Sequence, residues 1–223
     1  MCAAPRDEML RAGLAEISRR CPRMVSQCYW AGTSAIALEE LGHRESFDLD
    51  FHTREALTDT RPLLAELERA FPGRVEVLET PDAFGSGFTG LLELKEGAKV
   101  TIQVFAGFES VPDRDLVTST IAPPMMRVAL HRYLADKVQC VVERLEARDL
   151  VDLAAVLRRR PDLRALLRRA VADQDALLLA ERLLGWTDGA ILKDLAAYSD
   201  VEPEDAIQMR DDLLTLLRSE GET

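Results

Sequence analysis

The sequence predicts an α+β protein in two parts: a mixed sheet with flanking helices over residues 1–120, then a helical bundle over residues 121–223. Three observations carry that reading. Apolar residues recur with period two in Val75-Glu76-Val77, Leu92-Glu93-Leu94 and Val100 to Val104, as half-buried strands require. From Pro124 onward the apolar spacing becomes helical. Between these regions, Val111-Pro112 to Pro123-Pro124 reads as an extended link and a domain boundary.

Taken in order, Glu8–Arg20 is a helix with Met9, Leu10, Leu14 and Ile17 on one side and Arg11, Arg19 and Arg20 on the other, limited by Pro22. Tyr29 to Thr33 follows, then a helix of small residues, Ser34–Leu41, ended by Gly42. Phe47-Asp48-Leu49-Asp50-Phe51 alternates apolar with acidic residues, so it is a strand with both acids on one face. Thr60–Ala70 is a helix closed by Pro72-Gly73. Three strands come next, separated by turns at Gly85, Gly87 and Gly90 and at Glu96-Gly97. Met125–Leu157 reads as one long amphipathic helix, with Leu130, Leu134, Val138, Val141 and Leu145 along its apolar side. Helices over Pro161–Ala172, Asp175–Leu184, Asp188–Tyr198 and Glu202–Arg218 complete the chain, with Pro203 in the first turn of the last.

The 223 residues are 47% hydrophobic and 30% charged, enough to bury a core, and 28 Lys+Arg against 39 Asp+Glu leave a net charge of −11. That balance excludes a whole-surface basic footprint for duplex DNA and disfavours anionic lipid. The four cysteines, Cys2, Cys21, Cys28 and Cys140, form no C-x-x-C and find no zinc spacing with His43, His52 or His131. They read as reduced thiols of a cytoplasmic protein. Met1–Arg11 carries charges and no apolar core, so neither a secretory signal nor a membrane span is expected.

The chemistry concentrates in Ala31-Gly32-Thr33, Gly42-His43-Arg44-Glu45-Ser46 and Asp48-Leu49-Asp50. Two carboxylates side by side on a strand repel unless a cation lies between them. Hard oxygen donors suit Mg²⁺, which binds through one or two carboxylates plus substrate phosphates. A Gly-Thr turn opening a helix could offer N–H groups and a hydroxyl to those phosphates. Metal, phosphates and carboxylates in one place point to phosphoryl or nucleotidyl transfer.

On these residues the sequence resembles the AbiEii/AbiGii-type nucleotidyltransferase toxins, which include the MenT-like toxins. The matching blocks are Ala31-Gly32-Thr33-Ser34-Ala35-Ile36-Ala37-Leu38, Leu41-Gly42-His43-Arg44, Ser46 and Asp48-Leu49-Asp50-Phe51. A second block runs from Ala135-Asp136-Lys137 to Arg148-Asp149-Leu150-Val151-Asp152-Leu153. The resemblance covers residues 25–55 and 125–157. It implies a nucleotidyltransferase fold, Mg²⁺-dependent transfer from an NTP to an acceptor such as the tRNA 3′ end, and a cognate antitoxin. Asp48 and Asp50 would hold the metal, while Gly32, Thr33 and Ser46 would line the triphosphate site. Lys137 would neutralise phosphate charge, and Asp149 or Asp152 would complete the catalytic set.

On one unbroken helix, Lys137, Arg144, Arg148 and Asp152 share a stripe and Asp149 lies off it, unless the helix breaks near Ala147-Arg148. Arg148 is read as a nucleotide contact or as a structural partner of Asp152. Arg44 is read as a nucleotide contact, or with His43 as compensation for a helix C-terminus. Arg158-Arg159-Arg160, Arg164 and Arg168-Arg169 form a basic cluster, either a solvated face or a contact for RNA. Two departures from the family pattern stand out. Ala31 replaces a glycine and would crowd a phosphate if that position needs φ > 0. Gln103 stands where related enzymes carry a third carboxylate, and an amide is no general base; Glu93 or Asp149 would then substitute. The rival readings are a fold retained only for binding, or a transferase whose acceptor is a small cationic molecule.

Overall fold

The computed structural model describes residues 6–94, 97–144 and 146–220, and divides into a sheet-bearing unit, Met1–Ala129, and a helical unit, Leu130–Thr223. The expectations placed on Cys2, Glu96 and Leu145 lie outside the described residues.

In the first unit, helices α1 (Arg6–Arg20) and α2 (Pro22–Gln27) lead into strand β1 (Cys28–Ala31). A five-residue helix, α3 (Gly32–Ile36), continues as a π turn over Ala37–Leu41 and stops at Gly42 in the left-handed conformation, φ 56°. Strand β2 (Asp48–Thr53), helix α4 (Arg61–Ala70) and strands β3 (Val75–Glu79), β4 (Gly87–Glu93), β5 (Lys99–Phe105), β6 (Leu116–Thr118) and β7 (Met126–Val128) follow. They form one seven-stranded sheet in the order β3-β4-β5-β2-β1-β7-β6, mixed because β2 runs parallel to β5 and β1 parallel to β7. Alternation decides the faces of β2, β4 and β5. Leu49, Phe51, Val100, Ile102, Val104, Phe88 and Leu92 turn inward and are buried. Helix α1 lies on this inner face, where a Cβ at Gly13 would make ordinary contact with Leu49 and Val100 at 3.4–3.6 Å. The opposite face carries Asp48, Asp50, Thr101 and Gln103.

Two expectations are corrected here. Gly87 and Gly90 lie within β4 rather than in turns. A Cβ at Gly87 would stand 2.7 Å from the Val104 carbonyl oxygen and one at Gly90 3.2 Å from that of Glu76, so close backbone approach, not turn formation, uses these glycines. The span Met125–Leu157 is not one helix. Met126–Val128 is the sheet strand β7, paired with both β1 and β6, so the link from Val111 to Pro124 ends in a hairpin arm.

The helical unit begins with α5 (Leu130–Glu143), separated from α6 (Ala147–Arg159) by a break at which Glu146 is extended, φ −129° and ψ 111°. Helices α7 (Arg164–Ala172), α8 (Ala176–Gly185), α9 (Asp188–Leu195) and α10 (Pro203–Glu220) complete it. Asp175 caps α8 by accepting from the N–H groups of Leu177 and Leu178. Leu134, Val138, Leu150, Leu153, Val156, Leu183, Ile191 and Leu213 fill the core of this unit. No helix among the described residues is long and apolar enough to cross a membrane.

Candidate active site

Strand β2 places Asp48 and Asp50 on one face, both half-buried, with Leu49 between them buried on the other. Pairing fixes their neighbours. Asp50 stands opposite Ala31 of β1 and Gln103 of β5, and Asp48 opposite Thr101. Gln103 is therefore the side chain level with Asp50 on the next strand. Glu93 is no near substitute. It lies on β4, two strands from β2 and paired with Lys99, about 10 Å away across the sheet.

Chain reversal after β1 brings Gly32 back over Asp50. Gly32 has φ +68°, and a Cβ there would lie 2.1 Å from Asp50 Oδ2. Only glycine meets both demands. Ala31 has φ −114° and ψ −166°, ordinary extended backbone, so the expected crowding does not arise. Thr33 is buried, and its Oγ1 accepts a hydrogen bond from Arg44 Nη2 at 2.8 Å. Arg44 is itself buried and also donates from Nη1 to the Glu45 carbonyl at 3.2 Å. Ser46 is buried just before β2. Gly32, Thr33 and Arg44 are thus tied together beside the carboxylate strand.

Residues that the motif did not single out hold the π turn in place. Glu39 Oε1 accepts from Ser119 Oγ at 2.5 Å and from the Thr120 and Ile121 N–H groups at 2.9 and 3.2 Å. Its Oε2 pairs with Arg127 Nε at 2.7 Å, and Arg127 Nη2 reaches Glu40 Oε1 at 2.5 Å. Burial pulls the Glu39 pKa up. The bonds from Ser119, Thr120, Arg127 and Ile121 outweigh that and hold it below the ordinary 4.5. With Glu40 and Arg127 separated by 87 positions in the sequence, no local pattern signals this network.

In the helical unit, Lys137 Nζ donates to Asp149 Oδ1 and pairs with Asp152 Oδ2, each at 2.7 Å. Arg144 adds two bonds of 2.9 Å to the Asp149 carboxylate. Both aspartates are fully buried. Burial by itself would lower the Lys137 pKa, but Asp152, Tyr133 and Asp149 override it and the pKa is raised. The break between α5 and α6 turns Asp149 toward Lys137, which the single-helix stripe did not allow. Arg148 is not the partner of Asp152. Its guanidinium bonds Glu146 at 2.6–2.8 Å and Tyr198 Oη at 3.2 Å, so Arg144 takes the place in the cluster. In the basic run, Arg158 pairs with Asp205 and Arg160 with Asp162, whereas Arg159, Arg164, Arg168 and Arg169 are exposed. Burial pushes the thiols of Cys21 and Cys28 up to about 12 and that of Cys140 to about 11, so none is a thiolate nucleophile at neutral pH.

Among the described residues no group of three or more His, Cys, Asp or Glu could hold a metal by itself. Asp48 and Asp50 offer hard oxygens to a cation that draws its other ligands from phosphate and water, which is how Mg²⁺ binds. The donor set fits that ion.

Comparison with known proteins follows the same line. The profile of the family described as "Nucleotidyl transferase AbiEii toxin, Type IV TA system" matches residues 32–219. MenT4, a nucleotidyltransferase toxin of Mycobacterium tuberculosis H37Rv, is similar in structure, with TM-score 0.53, 16% identity and coverage of 95% of this chain and 82% of that one. JHP933 from Helicobacter pylori is similar with TM-score 0.53, 16% identity and coverage of 97% and 94%. No curated protein sequence matches.

Proposed function

This chain belongs to the AbiEii nucleotidyl transferase toxin family, and from that premise we propose that it transfers a nucleotide from an NTP to an acceptor hydroxyl at an RNA end, such as the tRNA 3′ terminus. The observation that supports this reading is the close approach of Gly32 to Asp50, where a Cβ would lie 2.1 Å from Oδ2, which sets the Gly32-Thr33 turn directly against the carboxylate strand. Asp48 and Asp50 would hold Mg²⁺, which supplies neutralisation of the phosphate charge when bound. The N–H groups of Gly32 and Thr33 bind phosphate oxygens, with Ser46 lining the same site. Arg44, braced by Thr33, adds positive charge there. The acceptor oxygen bonds to the α-phosphorus as the bond to pyrophosphate breaks. Gln103 orients the acceptor through its amide, and the departing proton passes to water. The resemblance implies a phosphate-neutralising role for Lys137 and a catalytic one for Asp149 or Asp152, while the nucleotide role read for Arg148 competes with its bonds to Glu146 and Tyr198. A family of toxin–antitoxin systems also implies a cognate antitoxin.

Titration calorimetry with each NTP in the presence of Mg²⁺ tests the site. Binding is expected, and Asp48→Asn is expected to weaken it at least tenfold; no NTP binding, or binding indifferent to Asp48→Asn, overturns the reading. Labelled NTP with total tRNA tests the transfer, and binding without transfer assigns the fold to a binding role. Lys137→Met in the same assays, with thermal melting alongside, separates a nucleotide role from a purely structural one.

A further inference from the structure

The carboxylate face of the sheet continues into aromatic residues that the nucleotide site does not use. Two positions beyond Asp50, about 7 Å along β2, lies His52. It pairs in register with Tyr29 of β1 and Phe105 of β5. The rings meet, with centroids 5.8 Å apart for Tyr29–His52 and 5.6 Å for His52–Phe105. Phe105 is 41% exposed although it ends a strand whose inner face is packed. Gly87 stands opposite it with no side chain, and a Cβ there would lie 3.3 Å from the Phe105 ring, so the ring lies over the β4 backbone at this glycine.

Beyond Phe105 the aromatic character persists. Ala106 N–H bonds the Ser86 carbonyl and Leu57 N–H the Gly107 carbonyl, each at 2.8 Å, tying together the loops at this end of the sheet. These loops carry Phe84 and Phe108, exposed by 87% and 89%. Phe84 is not on a slack tip. Asp82 accepts from the N–H groups of Phe84 and Ser86 at 2.9 Å and from Ser86 Oγ at 2.8 Å, building the turn that presents it. Exposed phenylalanines on the loops that follow the His52–Phe105 ring pair have the form of a stacking platform for unpaired bases.

We propose that His52 and Phe105, extended by Phe84 and Phe108, form a stacking track that receives the unpaired terminal bases of a single-stranded polynucleotide acceptor and delivers its 3′ hydroxyl toward Asp50. The inference rests on the transferase reading above and adds to it the residues that would hold and position the acceptor. Aromatic rings outnumber the exposed Leu57 of the same loops, and His52 stands two positions from Asp50 on the same strand face. Both features match a base-bearing strand better than a small cation or a protein surface.

The test uses an RNA oligonucleotide with 2-aminopurine at its 3′ terminus, whose fluorescence is quenched on stacking, titrated with the full chain without NTP. Quenching is expected, weakened about tenfold by Phe105→Ala and His52→Ala and preserved by Phe105→Trp. A blunt duplex of the same sequence is expected to bind more weakly than the single strand. Binding unaffected by Phe105→Ala and His52→Ala, or no quenching in the parent chain, overturns the track. So does a change in sedimentation with Phe84→Ala or Phe108→Ala that leaves RNA binding intact, because the patch is then a protein interface. Calorimetric NTP binding by the same preparations reports separately on the nucleotide site, so loss of NTP binding with quenching retained overturns the transferase reading and not the track.

Discussion

Gly32 concentrates two constraints at one Cα. Its positive φ costs an L side chain roughly 1–2 kcal/mol, and the Asp50 carboxylate occupies the position a Cβ would take. Gly32→Ala is therefore expected to displace Asp50 and to lose Mg²⁺-dependent NTP binding by more than tenfold in calorimetry, with a melting point lowered by several degrees. Ala31→Gly makes the opposite comparison. Since Ala31 already has an unstrained extended backbone, glycine is expected to bring no gain in NTP affinity and to cost about 0.5–1 kcal/mol of stability by added chain entropy. An affinity gain from Ala31→Gly would mean that the extended backbone of Ala31 changes when the nucleotide binds. Residue types at fixed spacing made Gly32, Thr33, Asp48 and Asp50 legible in the sequence. The φ at position 31 was not legible there, because an Ala in a Gly slot says nothing about which of two adjacent residues makes the left-handed turn.

At the level of elements, the π turn over Ala37–Leu41 is held by charge rather than by propensity. Glu39, with its side chain 1% exposed, meets Arg127 and three donors from the 119–121 loop. Its pKa lies below the ordinary 4.5, so the folded state binds the proton more weakly than the unfolded chain. The stability this contributes is fully present above the unfolded value and is lost as pH falls through the folded one. Melting curves from pH 7 to pH 3 are expected to show the parent chain more stable than Glu39→Gln at neutral pH. The gap closes as pH falls below about 4.5; a gap independent of pH would show that packing, not ionisation, holds the turn. Local rules read the elements unevenly. Strand β2 and the stop at Gly42 follow from alternation and from a left-handed glycine. The break between α5 and α6 does not, since the apolar spacing continues across it. One distant partner holds it, the Asp194 carboxylate of α9 accepting from the Ala147 N–H at 2.8 Å, and Arg144 closes across the break on Asp149. Strand β7 was hidden for a similar reason, being three residues whose identity as a strand comes from β1 and β6 on either side.

Over the whole molecule, a charge of −11 sets how a nucleic-acid acceptor can be held. Affinity for a polyanion ordinarily comes from counterions released as cations replace them, and each neutralised phosphate on a single strand adds about −0.7 to the slope of log K against log salt. The arginines near the aromatic end of the sheet are already engaged, Arg54 with Asp113 at 2.6 Å and Arg61 with Asp59 at 2.8 Å. Stacking, which is nearly indifferent to salt, must then supply most of the binding of a short end. A short single strand is accordingly expected to bind with a shallow slope, between about −1 and −2, when titrated from 50 to 300 mM salt. The exposed Arg159, Arg164, Arg168 and Arg169 offer the contrasting case, four cations within one stretch of the helical unit. A slope steeper than about −3 for the short strand, flattened by replacing these four with glutamine, would locate its binding on the arginine run instead. On the proposed reading, the acidic balance thus favours recognition of the acceptor by its unpaired end over recognition by its backbone.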